Sequence, residues 1–113
     1  MMLKFEIKRF KELSLPELYQ SLQLRSEVFV VEQNCVYQDI DGKDEKALHL
    51  LGTYEGKVGA CARLFAPGDY FENASIGRVV VAYNYRDRKW GHDLLKYAIA
   101  AIASEFKTTA ITI

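Results

Sequence analysis

Residues 78–103, "RVVVAYNYRDRKWGHDLLKYAIAAIA", set a β-branched run, a basic turn with one glycine and a periodic apolar stretch in immediate succession. The run Val79, Val80 and Val81 lacks alternation, the pattern of a strand buried on both faces. From about Arg88 to Phe106 the chain reads as helix, and Leu94, Leu95, Ala98, Ile99 and Ile102 recur at helical spacing. "TTAITI" then starts another β-rich run. Strand, helix and strand in this order predict a right-handed crossover between two parallel strands. An α/β (α+β) sheet domain follows.

The rest of the chain adds strands and one more helix. "LKFEIKRF" sets Leu3, Phe5 and Ile7 against Lys4, Glu6 and Lys8, so period two predicts a half-buried strand. Ser14 with Glu17 three residues later is a capping-box pattern, and Pro16 suits a first helical turn. In the helix that follows, Leu15, Leu18, Tyr19, Leu22 and Val28 or Phe29 form an apolar stripe expected to face the core. Val30 to Lys46 is irregular, a long loop of the kind that often carries function. Ala47–Tyr54, a turn at Glu55-Gly56 and Val58–Phe65 read as a hairpin. "PGDYFENA" is a loop and "SIGRVVVA" the next strand. The predicted order is β, α, loop, β, β, β, α, β in one domain over residues 1–113. After Ile113 there is no turn, cap or charge, so we expect a chain cut short, or a final strand that pairs with another copy in a homodimer.

At 113 residues the chain is sized for one domain, and a 50% hydrophobic content suffices for a core. Lys plus Arg and Asp plus Glu balance at 15 each. A net charge of zero argues against a general nucleic-acid binder but leaves room for a local anion site. Two cysteines, Cys35 and Cys61, make neither a disulfide framework nor a metal pattern. A reduced, cytoplasmic protein is the simplest expectation. The alternating N-terminus is no signal peptide, and no apolar run is long enough to span a membrane.

The basic turn is the candidate site. A helix start offers unpaired backbone N–H groups and the positive end of a dipole. That suits a phosphate. Arg86, Arg88 and Lys89 add charge, and Gly91 would let a ligand come close to the backbone. Neither G-x-x-x-x-G-K-S/T nor G-x-G-x-x-G is present. The residues alone fit a pyrophosphate site and a solvated basic helix start equally well.

"VVVAYNYRDRKWGHDLL" resembles the acetyl-CoA motif of the GNAT N-acetyltransferases, Q/R-x-x-G-x-G/A after a hydrophobic strand. Arg86 matches its first position and Gly91 its last, while Lys89 stands where the family usually has its first glycine. "RSEVFVVEQNCVYQDIDGKDEKALHLLG" and "IGRVVV" look more specifically like the ElaA-like branch. The resemblance implies fourth and fifth strands that splay apart, with pantetheine in the gap along backbone groups of Val79 and Val81. Val79 or its neighbours, Val80 among them, would supply an oxyanion donor. Arg86, Asp87, Arg88, Lys89, Trp90, Gly91 and His92 would cradle the pyrophosphate. The implied reaction is acetyl transfer from acetyl-CoA to a primary amine of a small molecule or peptide by direct attack, without a metal. Ile76 stands where some members carry a glutamate base, and cannot act as one. Glu32 and His49 are then the candidate bases. Their alternative readings are a loop anchor and a hydrogen-bonded sheet histidine. The family's frequent tyrosine acid, and the strands that wall the acceptor pocket, would follow Ile113. A non-catalytic acyl-CoA-binding or dimerisation module is therefore the alternative expectation.

Other features have plainer readings. In "DIDGKD" Gly42 comes too early for a calcium loop, and a turn in which Asp39, Asp41 and Asp44 accept backbone hydrogen bonds is expected. An acidic lip attracting a cationic amine is a further reading. Cys35 is expected to be a buried structural thiol, Cys61 a core residue and Trp90 a packing residue at the helix start.

Overall fold

The computed structural model describes residues 3–36 and 38–113, with the side chain of Asp87 outside the description. Strand β1 spans Lys4–Arg9, β2 Leu48–Tyr54, β3 Lys57–Phe65, β4 Ala74–Val81 and β5 Ile111–Thr112. Helix α1 spans Leu15–Ser26 and runs into a π-helical stretch, Glu27–Glu32; α2 spans Trp90–Phe106. Short 3₁₀ segments cover Phe10–Glu12 and Tyr83–Arg88.

The sheet order is β1-β2-β3-β4-β5. The first four strands are antiparallel neighbours, and β5 joins β4 in parallel through Ala74↔Ile111 and Ser75↔Thr112. The crossover read from residues 78–103 is therefore present, with α2 as its helix. Alternation sorts the strands between two layers. Leu48, Leu50, Ala60, Ala62, Leu64, Ile76 and Val81 meet Leu94, Ala98 and Ile102 of α2. Leu51, Cys61 and Val80 on the other face meet Leu24 and Val28. Burying a leucine or valine in such layers is worth about 1.5–3 kcal/mol.

The Ser14 capping box forms as expected. Its Oγ accepts from Glu17 N–H at 3.1 Å, and Ser14 N–H donates to Glu17 Oε1 at 2.8 Å. The expected stripe on α1 holds at Val28 and Phe29, which pack on the core, and fails at Leu15 and Tyr19. Leu15 and Tyr19 are 81% and 73% exposed, while Ser21, Leu24 and Arg25 are buried. The inward face is built around a charged side chain with partners elsewhere in the chain, which hydrophobic periodicity cannot register. Two boundaries also move. The long loop expected from Val30 begins with the end of the π-helical stretch, and α2 starts at Trp90 rather than Arg88.

β4 carries a bulge. Between Cys61 and Arg63, β3 advances two residues while β4 advances three, since Cys61 faces Val80 and Arg63 faces Gly77. The extra residue sits at Arg78, whose φ of +52° is left-handed.

Candidate functional site

The chain leaves β4 at Val81, makes the 3₁₀ turn Tyr83–Arg88 and enters α2 through Lys89. Lys89 is left-handed at φ 60°, a conformation that glycine adopts without strain. It gives α2 no side-chain cap. The first-turn N–H groups of Trp90, Gly91 and His92 have no acceptor within the helix. The Asp93 N–H reaches Lys89 O at 3.3 Å. Arg88, Lys89 and His92 are exposed beside them. At Gly91 an added Cβ would meet only Val81 Cγ2, at 3.8 Å.

Trp90 is buried and packs on Tyr85 and Tyr54, with ring centroids 4.6 and 5.6 Å away. Its ring holds the helix start to the core and leaves its backbone N–H as the group a ligand could use. Arg88 lies over the Tyr85 and Trp90 rings at 5.4 and 5.8 Å.

Arg86 has a different place. Its Nε donates to Val81 O at 3.1 Å, and its two terminal nitrogens grip the Glu32 carboxylate, Nη2 to Oε2 at 2.9 Å. It ties the end of β4 to the end of the π-helical stretch. The same bond holds the Glu32 carboxyl below its ordinary range. Glu32 is thereby a weaker base than a free carboxylate, and its position is that of an anchor.

The backbone of β4 follows from one hydrogen bond. Ala82 N–H donates to Gly59 O at 2.8 Å, on the β3 side. Antiparallel alternation then directs the N–H and C=O groups of Val80 toward β3, and those of Val79 and Val81 away from it. Arg86 takes the Val81 carbonyl, which leaves the Val79 peptide groups and the Val81 N–H on that side.

A buried polar cluster, which sequence reasoning missed, lies on the α1 face. Arg25 and Arg63 are each 2% exposed. Arg25 donates to Asp39 Oδ1 at 3.1 Å and to Asp44 Oδ1 at 2.8 Å. Arg63 makes a bidentate pair with Asp41 at 2.8 and 2.9 Å, and Arg78 Nε donates to Asp39 Oδ1 at 3.0 Å. The Arg63 guanidinium holds the Asp41 carboxyl well below the usual carboxylate range. His49, buried on β2, donates Nε2–H to Asp44 O at 2.7 Å, and burial pushes its pKa down. Both the turn reading and the acidic-lip reading need correction. Asp41 Oδ1 does accept from Lys43 N–H at 3.0 Å, but Asp39 and Asp44 point inward to guanidinium groups. The missed signal was visible as arginines inside apolar strands, in "ACARLFA" and "IGRVVV". A buried arginine requires carboxylates, and the loop from Asp39 to Asp44 supplies them.

Of the two cysteines, Cys61 lies in the core as expected and Cys35 does not. Cys35 is exposed, because the irregular segment carrying it lies on the surface, and Cys61 is buried. Burial pushes the Cys61 thiol up to about 12.

The sequence pattern of the acetyltransferase (GNAT) family matches residues 8–113. The chain belongs to the GNAT acetyltransferase family. It is 44% identical over 96 residues to the protein ElaA of Escherichia coli, which places it in the ElaA-like branch of that family. That match takes in 83% of this chain and 63% of ElaA's length. The crystal structure of Escherichia coli ElaA superposes with a TM-score of 0.90 at 38% identity, covering 97% of this chain and 76% of the other. An acyl-CoA N-acyltransferase from Pseudomonas aeruginosa superposes equally well, at 39% identity over 96% of this chain and 76% of that one. The mixed five-stranded sheet of this chain, with its two helices, thus has the GNAT fold.

Proposed function

We propose that this chain binds acetyl-CoA and belongs to an N-acetyltransferase that acts on a primary amine of a small molecule or peptide. The observation that carries the reading is the passage from β4 into α2. An uncapped helix start, with Arg88 and Lys89 exposed beside it, follows a strand whose Val79 groups face away from β3. The donor set fits the cofactor. First-turn N–H groups suit a diphosphate, and Gly91 puts no side chain between them and a ligand; an added Cβ there would meet only Val81 Cγ2, at 3.8 Å.

Acetyl-CoA, when bound, supplies the activated acetyl group. The residues of this chain bind and orient. Trp90, Gly91 and His92 present backbone N–H groups, Arg88 and Lys89 add positive charge, and Val79 presents a backbone N–H to the acyl end. Such a fixed donor stabilises an oxyanion better than water does. Holding the two reactants in register is the larger part of the work.

A second reading, acyl-CoA binding without catalysis by these residues, is favoured by one observation. Arg86 engages Glu32, and His49 is buried against Asp44 O, so neither candidate base is free to take a proton from an amine. Calorimetry with acetyl-CoA, using desulfo-CoA and ATP as controls, tests the binding claim. Saturable binding that is lost in Gly91→Glu supports it, and no binding by a folded chain refutes it. An acetyl-transfer assay across an amine panel then separates the two readings.

A further inference from the structure

The β4 bulge is held by side chains to which the proposed function gives no other task. A non-glycine residue in the left-handed region is strained and persists only where its surroundings hold it there. Arg78 is such a residue, at φ +52°. Its Nε donates to Asp39 Oδ1 at 3.0 Å, and its Nη2 reaches Asp39 O and Asp41 Oδ2, both at 3.3 Å. These acceptors are themselves fixed. Arg25 holds Asp39 at 3.1 Å, and Arg63 holds Asp41 through two bonds at 2.8 and 2.9 Å. Arg63 is also the β3 partner of Gly77, next to the bulge. The strained backbone is thus clamped through its own side chain onto a buried frame.

The next peptide is the one the proposed chemistry needs. Val79 follows Arg78 directly, and its N–H faces away from β3. We infer that Asp39 and Asp41 are positioning residues for acyl transfer, gripping Arg78 so that its left-handed backbone aims the Val79 N–H at the thioester carbonyl of a bound acyl-CoA. This rests on the acyl-CoA reading above.

The readout is the ratio of acetyl-CoA to CoA affinity by calorimetry, because CoA lacks the carbonyl. The wild-type chain should favour acetyl-CoA. Asp41→Asn should lower the ratio about three- to tenfold, the worth of one hydrogen bond, and leave CoA affinity unchanged. Glycine adopts a positive φ unaided. Arg78→Gly should therefore keep the ratio, and adding Asp41→Asn to it should change nothing further. Arg78→Val, which leaves both aspartates in place, should lose the ratio while remaining folded by circular dichroism. An equal fall for Asp41→Asn alone and in the Arg78→Gly background overturns the inference. A folded Arg78→Val that keeps the ratio, or a wild type that binds both ligands equally, does the same. Failure of the wild type to bind either ligand refutes the acyl-CoA reading itself, and the inference with it.

Discussion

At Gly91 nothing in the fold itself calls for glycine. Its φ lies outside the left-handed region, and the nearest atom to an added Cβ is 3.8 Å away. Gly91→Ala should therefore raise stability, by about 0.5–1 kcal/mol, through better helix propensity. If a diphosphate approaches this backbone, the same methyl should weaken acetyl-CoA binding. A thermal melt and a titration on one variant read both effects, and they should move in opposite directions. The two thiols give a second test. Cys61 is buried, with its pKa pushed up to about 12, whereas Cys35 lies at the surface. A thiol reagent at neutral pH should modify one cysteine in the native chain, Cys35, and the second only in denaturant.

At the scale of elements, the β2–β3 hairpin shows a local conflict. Its two turn residues, Glu55 and Gly56, both have positive φ, at 52° and 80°. That is the conformation of a two-residue turn of type I′, which favours Asn-Gly. Glu55→Asn should stabilise the chain by about 0.5–1 kcal/mol, read as a higher melting temperature. Helix α1 shows the opposite case, an element fixed by a charged contact. Arg25 is buried against Asp39 and Asp44, so Arg25→Met leaves two buried carboxylates to Arg78 and Arg63 alone, one guanidinium short. A loss of about 3–5 kcal/mol is expected, measured as a fall in the urea midpoint. Mutating exposed Leu15 or Tyr19 of the same helix should cost far less. This contrast is where the apolar stripe misled: the period of α1 was legible, but its inward face was not.

For the whole molecule, the polar cluster sets the response to acid. Burial depresses the native pKa of His49, so below about pH 6.5 the unfolded chain takes up a proton that the native state refuses. Stability is fully present above that pH and is lost as pH falls, by up to about 1.4 kcal/mol per unit. The depressed Asp41 adds a loss of the same sign below about pH 4. Melts from pH 8 to pH 4.5 should show the slope, and His49→Gln should flatten its upper part. By itself the sequence determined the α/β order, the hairpin, the parallel crossover and the basic helix start, because each is written in residues close together in the chain. Period, capping and turn chemistry act over a few residues. Which face of α1 turned inward, that Arg86 clamps Glu32, and that Asp39, Asp41 and Asp44 serve three arginines were decided only by the tertiary structure. A buried charge must find its partner wherever the fold brings one, and residues 14 to 54 positions apart meet here through packing alone.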